Sequence, residues 1–536
     1  MEQAEEDHVA SCWSATHAAS GPVAVKVECA FGRGFSGLVI IGNAGQVCED
    51  GKERAKAALE RLGWVAPARK ILISFSPGDL KIDRSHIDLS ISVLLAHVTR
   101  ESSWVIRTQE WLFAAEIGLN GELRPVSGVV GWASAAKLEG LKGIVVAEEN
   151  MRELGCLMRV SAALTPGSKE ALQCVGFKTL DDVFSWLESG NLNSRGVEDY
   201  IPRDQPLNRP DFDDMDLSDD LGLVAAVSAA GMHSVLLRGS PGTGKSMFAR
   251  RLPSILPRMS MSEQFDALRT YTVSHRQIDH AILAGIPPFR SPHHYTSLAA
   301  LLGTHQTPGE LALASGGVLF LDELPEFRRD VLEGLREPLE TGEVAVSRAA
   351  GSTKWVAKAL FVSAANNCPC GWSTSRRRTC ECPTSRIQAY RNRLSGPLQE
   401  RIDIHINMVE PSDQRSSLFS PPPKQEGLTK KLKEIVARAR HRAGARNGEL
   451  GVYLNRDIPA QKILTTFGLP ATEAMKLTEK VVPSYTSARS LVRCLKVART
   501  IADVGDRDEV CLEDIETAWN WQSLPAARER GEVMPV

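Results

Sequence analysis

Two short stretches of this chain have residue types and spacing suited to phosphate chemistry. The first is Gly239-Ser240-Pro241-Gly242-Thr243-Gly244-Lys245-Ser246, which follows the apolar run Ser234–Leu237 and precedes a helical pattern over Met247–Leu252. In that strand–loop–helix setting the pattern is a phosphate loop. Its glycines let the backbone turn so that several N–H groups face phosphate oxygens, and the helix N-terminus adds its positive end. Lys245 is placed to reach the β- and γ-phosphates of ATP, and the Ser246 hydroxyl to ligate Mg²⁺. The second stretch is Gly317-Val-Leu-Phe-Leu-Asp322-Glu323. Four apolar residues predict a parallel strand buried on both faces, ending where ligands bind in open α/β sheets. Asp322 is then the outer Mg²⁺ ligand and Glu323 the base that polarises the attacking water.

Further candidates lie downstream. Asn366 ends a third apolar strand, Ala359–Ala365, and is read as a sensor of the γ-phosphate or as a turn residue. In Leu398-Gln-Glu-Arg401-Ile-Asp403, Arg401 either faces a neighbouring subunit's ATP, where a guanidinium stabilises charge on the transferring phosphoryl group, or pairs with Asp403 in its own chain. Ser487-Ala-Arg489 opens a helix that would bring Arg489 back to the phosphates. Cys368-Pro-Cys370 and Cys380-Glu-Cys382 are two tight thiol pairs, with Arg376–Arg378 between them at the tip. They suit a tetrahedral Zn²⁺, although the C-x-C spacing is less usual than C-x-x-C and plain reduced thiols are the alternative. His293 and His294 read as loop or interface residues rather than ligands. Val344–Arg348 and Ser352–Val356 flank Ala349-Ala-Gly351 and alternate, as a hairpin does. In ring helicases such a hairpin enters the pore. Arg348 and Lys354 would then contact DNA phosphates, and Trp355 would stack on a base or pack.

These groups need scaffolds. At 536 residues the chain exceeds one hydrophobic core, so about three domains are expected. Hydrophobic residues make up 43% and charged residues 24%, the profile of an ordinary soluble protein. The longest apolar runs fall far short of a membrane span. The acidic start, Met1–His8, has no signal-peptide core, so a cytoplasmic location is expected. Eleven cysteines, an odd number, argue for reduced thiols with at most one metal site. Net charge is −2, yet Asp204–Asp220 holds seven Asp, while Lys430, Lys431, Lys433, Arg438, Arg440, Arg442 and Arg446 crowd one segment. That basic segment is a solvated helix face or a nucleic-acid surface.

The expected fold is α/β. Residues 1–187 form an N-terminal α/β domain, with strands at Val23–Val27, Leu38–Ile41, Ile71–Phe75 and Gly143–Val146 and helices at Glu49–Leu62, Ile87–His97 and Gly131–Glu139. Residues 188–220 form a linker, residues 221–415 a P-loop domain with a parallel sheet, and residues 424–536 a helical lid domain behind the breaker Ser420–Pro423. Helices of the lid are expected at Leu428–Arg446, Thr472–Lys480, Ser487–Asp503 and Leu512–Trp521.

Pro288-Phe-Arg-Ser-Pro-His-His294, Pro308-Gly-Glu310, Gly317–Phe327, Cys368-Pro-Cys-Gly371, Ser395-Gly-Pro-Leu398, Arg401-Ile-Asp403, Ser487-Ala-Arg489 and Val497–Asp503 together resemble the ComM/YifB family of magnesium-chelatase-like AAA+ ATPases over nearly the whole chain. The resemblance implies a hexameric, ATP-driven DNA motor that performs branch migration during natural transformation. It also implies an N-terminal domain shaped like the Lon protease domain, with Glu116–Val126 as its strand–turn–strand segment. The chain departs from the family at Ser218-Asp-Asp220, at Gly303-Thr-His-Gln306 and at Asn367. A Lon-type protease pairs its Ser with a Lys base. Ser85 lies in the corresponding segment, but Val129-Val-Gly-Trp132 stands where the Lys should be and Lys137 comes two turns later, so the domain reads as non-proteolytic. Two functions remain: a motor on single-stranded or branched DNA, and a chelatase-like ATPase that remodels a protein partner.

Overall fold

In the computed structural model the described residues are 9–18, 21–42, 45–78, 82, 85–99, 104–164, 172–191, 209–274, 278–348, 351–375, 378–409 and 425–522. Met1–His8, Arg376, Ser420–Pro423 and the side chain of Arg348, all read above, lie outside them. The chain is α/β and divides into two units, Met1–Gln205 with Ser260–Gly285, and Pro206–Met259 with Ile286–Val536.

In the first unit, β1 (Ala10–Ala18), β2 (Gly21–Gly32), β3 (Gly37–Ile41), β4 (Lys70–Ser76), β5 (Trp111–Ala114), β8 (Gly143–Ala147) and β9 (Gln173–Phe177) form one sheet in the order β3-β4-β2-β1-β5-β8-β9. β6 (Glu116–Ile117) and β7 (Leu123–Arg124) pair antiparallel as a separate short hairpin. β5, β8 and β9 run parallel. β8 reads Gly-Ile-Val-Val-Ala and is buried throughout, as a parallel strand covered on both faces must be. The helix Asp88–Thr99 buries every residue from Asp88 to Ala96, so it lies inside the unit rather than on its surface.

Ser260–Gly285, within the expected span 221–415, packs with the first unit. Ser260 and Glu263 close a capping box on the helix Met261–Val273. The buried Gln264 amide donates to Ile282 O at 2.8 Å and Leu283 O at 2.9 Å, and the Cys156 thiol bonds Leu283 O at 3.4 Å.

The second unit holds β10 (Val235–Arg238), β11 (Phe289–Arg290), β12 (Val318–Leu321), β15 (Leu360–Ala365) and β16 (Ile404–Asn407), all parallel, in the order β11-β12-β15-β10-β16. β13 (Glu343–Arg348) and β14 (Gly351–Val356) form the expected hairpin, pairing Ala345 with Lys354 and Arg348 with Gly351. Val235, Phe320 and Val362 of the sheet share one core with Val436, Val497 and Ile501 of the C-terminal helices. Those helices span Leu428–Asn447, Ala471–Val481, Ala488–Val504 and Leu512–Gln522. Among the described residues no helix is long and apolar enough to cross a membrane.

Residues 209–220 are not a free linker. Phe212 is fully buried against Phe248, with ring centroids 5.8 Å apart. Arg251 bonds Asp214 at 2.7 Å, and Asp213 accepts the Thr429 N–H at 2.7 Å. The acidic Ser218-Asp-Asp220 caps a helix: Ser218 Oγ accepts from Leu221 N, and both aspartates occupy the first turn, where carboxylates oppose the helix dipole.

The basic segment is partly structural too. Arg440 donates to Ala229 O, Arg442 pairs with Asp506 and Asp508, and Arg446 pairs with Asp503. Three of its seven basic residues are therefore engaged within the fold. Asp503 accepts from Arg446, Asn455 and the fully buried Arg499. Removing one partner from such a cluster leaves buried charge uncompensated, so Asp503→Ala should cost about 3–5 kcal/mol. Urea unfolding of the full-length protein checks this, and a loss below about 1 kcal/mol would contradict it.

Candidate nucleotide site and cysteine knuckle

The phosphate loop leaves the C-terminal end of β10, between β15 and β16. Gly244 caps the following helix at φ +87°, a conformation that a side chain would strain. The Lys245 side chain is turned back into the loop, where its ammonium donates to Gly239 O at 2.7 Å, Ser240 O at 2.8 Å and Asn366 Oδ1 at 3.2 Å. Burial lowers its pKa, while the Asp322 and Glu323 carboxylates work in the opposite sense. The Ser246 hydroxyl donates to Asp322 Oδ2 at 2.7 Å. The loop, β12 and β15 thus bring Lys245, Ser246, Asp322 and Asn366 to one end of the sheet. The hydroxyl and carboxylate oxygens of Ser246 and Asp322 are a hard donor pair that fits Mg²⁺.

Glu323 follows Asp322 in the left-handed region at φ +53°, a conformation that is strained for a side-chain residue and concentrates at functional sites. Its carboxylate faces His294 Nδ1 at 3.4 Å. The His294 ring lies against those of His293, at 4.1 Å, and Tyr295, at 4.4 Å, in tilted contacts. Nothing local in the sequence marks His294 as the neighbour of Glu323 beyond its polar type in a loop after β11.

Arg401 does not pair with Asp403. Its guanidinium meets Glu340 Oε2 at 3.1 Å and donates to Pro397 O at 2.8 Å. Arg489 meets the other oxygen of the same carboxylate at 2.8 Å. The two arginines are therefore presented together. Asp403 accepts instead from Ser234 N and Ser234 Oγ, at 2.9 and 3.0 Å, with His233 and Arg493 nearby. Burial alone would raise its pKa; the His233 hydrogen bond, Arg493 and the Ser234 N–H outweigh that and hold it well below the carboxylate range.

The thiols of Cys368, Cys370, Cys380 and Cys382 lie within 4.8 Å of one another. The Trp372 backbone N–H, helped by the neighbouring thiols, pulls Cys370 down to about 6 against the opposing effect of burial. On the hairpin, Lys354 is 72% exposed and stands 3.6 Å from Glu343. Trp355 packs: its indole N–H donates to Thr304 O at 2.8 Å. The altered turn Gly303–Gln306 therefore anchors the hairpin, and His305 O likewise accepts from Thr353.

In the first unit, a cavity of about 500 Å³ is lined by Val47, Ser85, His86, Glu116, Pro125, Val126, Ser127 and Trp132. Ser85 donates to Glu116, which also faces Arg124 at 3.5 Å. No lysine is among these lining residues, and Lys137 sits at the far end of the helix Val129–Leu138.

This fold and this site define a P-loop ATPase of the AAA+ class. The family description "Magnesium chelatase, subunit ChlI" matches residues 211–416, "Subunit ChlI of Mg-chelatase" matches 27–150, and "Magnesium chelatase, subunit ChlI C-terminal" matches 427–522. The chain is 31% identical to YifB of Escherichia coli K12 over 507 residues, covering 93% of this chain and 94% of that one. It is 30% identical to the competence protein ComM of Haemophilus influenzae over 510 residues, with the same coverage. The chain belongs to the ComM/YifB family of magnesium-chelatase-like AAA+ ATPases.

The separation of cradle from base gives a test. Lys245→Ala should abolish ATP binding, whereas Glu323→Gln should bind ATP and lose turnover by about 10²–10⁴-fold. Equilibrium binding of a fluorescent ATP analogue beside a phosphate-release assay distinguishes the two, and near-normal turnover in Glu323→Gln would remove Glu323 as the base.

Proposed function

We propose that the protein is an ATP-hydrolysing ring motor acting on DNA. The convergence of Lys245, Ser246, Asp322 and Asn366 at one end of the parallel sheet carries the ATPase part of this reading. Lys245 and the loop N–H groups bind the β- and γ-phosphates. Ser246 and Asp322 hold Mg²⁺, which supplies charge neutralisation on the phosphate oxygens. Glu323, whose carboxylate rests beside His294, accepts the proton of the attacking water, and Asn366 orients that water.

The ring part rests on Arg401 and Arg489 sharing the Glu340 carboxylate. Presented as a pair, they suit the neighbour's ATP, with Glu340 occupied only until that phosphate arrives. The assembly is read as a hexamer by family. Arg401→Ala should then keep ATP binding and lose about 10³-fold or more in turnover. Mixing it with Lys245→Ala should restore activity, because each mutant supplies the half-site the other lacks. A fully active monomer would contradict the shared site.

The DNA part rests on the hairpin, with Arg348 and Lys354 on facing strands near its tip. It offers backbone contacts and no base-reading constellation, so binding to single-stranded or branched DNA should be sequence-independent. Affinity should fall at least tenfold between about 50 and 200 mM salt. Changing Arg348 and Lys354 together to Ala should weaken binding and abolish DNA stimulation of ATPase. Branch migration during natural transformation is the role that the family resemblance implies, and the competence relative's name accords with it. The alternative, an ATPase that remodels a protein partner, is favoured by the internal pairing of Arg440, Arg442 and Arg446 and by the packed Trp355. It predicts no DNA affinity at low salt with ATP and Mg²⁺ present, which a filter-binding titration reads. Finally, the four clustered thiols are read as ligands of one Zn²⁺.

A further inference from the structure

We propose that the knuckle Cys368–Cys382, closed on one Zn²⁺, braces the phosphate loop and fixes Asn366 for ATP hydrolysis, which makes Thr374 and the zinc site positioning elements of the reaction. The proposal rests on the zinc reading given above.

The thiols are already near the geometry of a metal tetrahedron. Cys368 Sγ lies 3.3 Å from Cys370 Sγ and 3.6 Å from Cys380 Sγ, and Cys370 Sγ lies 3.5 Å from Cys380 Sγ. A tetrahedral Zn²⁺ with Zn–S of about 2.3 Å requires sulfur–sulfur separations of roughly 3.8 Å. A backbone N–H also points at a sulfur: Ser373 N donates to Cys368 Sγ at 3.3 Å. Such a donor orients and stabilises a metal-bound thiolate.

The knuckle touches the nucleotide machinery at three points. Its turn closes with Gly371 N donating to Cys368 O at 3.0 Å, and Gly371 adopts φ +83°. A Cβ on Gly371 would lie 2.7 Å from Pro241 Cγ, so the knuckle backbone rests directly on the phosphate loop. Thr374 Oγ1 accepts from Asn367 Nδ2 at 2.8 Å and lies 3.5 Å from Ser240 Oγ. Asn367, a departure from its family, thus ties the knuckle to the residue beside the sensor. Asn366 itself stands between the end of β15 and Cys368, with its Oδ1 on Lys245. A zinc-closed knuckle therefore holds the chain on one side of Asn366 while β15 holds it on the other. Opening the knuckle frees that side, along with the contacts to Pro241 and Ser240.

The test uses the full-length protein and reads zinc content, ATP affinity and turnover separately. Wild type should carry one Zn per chain after purification without added metal, and Cys380→Ser should carry none. Stripping zinc with a mercurial and a chelator should lower kcat about tenfold or more while KM for ATP moves less than about threefold, and restoring Zn²⁺ should recover it. Thr374→Val should keep its zinc and lose kcat, and Thr374→Ser should recover kcat. Because stripping and reloading act on folded wild type, a Cys380→Ser variant that fails to fold does not spoil the experiment. Zinc-free wild type would overturn the zinc reading. A zinc-loaded wild type whose stripped form keeps its kcat would leave that reading intact and overturn the bracing role.

Discussion

The placement of the Lys245 ammonium is the constraint on which the site depends. It is nearly buried, and a buried charge must be matched by hydrogen-bonding partners. Its partners are two carbonyls of its own loop and the Asn366 side chain. That requirement curls the loop around the amine and draws the end of β15 against it. A phosphate oxygen arriving in the cradle is a better acceptor for the ammonium than a neutral carbonyl, because its negative charge adds ion-pair attraction to the hydrogen bond. The residues that must contact nucleotide are thus held in register by an interaction that nucleotide can displace.

A second exchange of the same kind is offered at Glu340. One carboxylate holds two guanidinium groups, from Arg401 at the end of the ATPase sheet and from Arg489 at the start of a C-terminal helix. The sheet and the helices share one hydrophobic core, so the two arginines are carried on one packed unit. On the proposed reading, a neighbour's phosphate competes for both at once, and occupancy in one subunit is felt through the packing of the next.

Local motifs were legible in the sequence because their chemistry is local. The loop Gly239–Ser246, the pair Asp322-Glu323 and the hairpin strands are each set by a few adjacent residues, and the C-terminal helices by long amphipathic periods. What escaped was non-local. Glu340 lies 149 residues from Arg489, and nothing in its own segment marks it as their shared partner. Phe212 is hidden among aspartates whose composition suggests a linker, yet one buried aromatic ring, the Asp214–Arg251 ion pair and the Asp213 carboxylate on the Thr429 N–H hold that stretch. Ser260–Gly285 has an ordinary capped helix, and its pattern gives no sign of which unit's core it joins. The Lys430–Arg446 run shows how charge counting overstates a surface, since half-buried arginines such as Arg446 serve internal carboxylates.

Asn366 must act on the reaction and not merely on binding, because Lys245 retains other partners without it. The direct measurement is pre-steady-state: ATP binding and single-turnover hydrolysis in Asn366→Ala beside wild type. The expected result is ATP affinity within about threefold of wild type with the hydrolysis step slowed about 10²–10³-fold, the scale on which a single positioned polar group acts. An unchanged hydrolysis rate, or a loss confined to ATP affinity, would contradict the central role given to the Lys245–Asn366 contact.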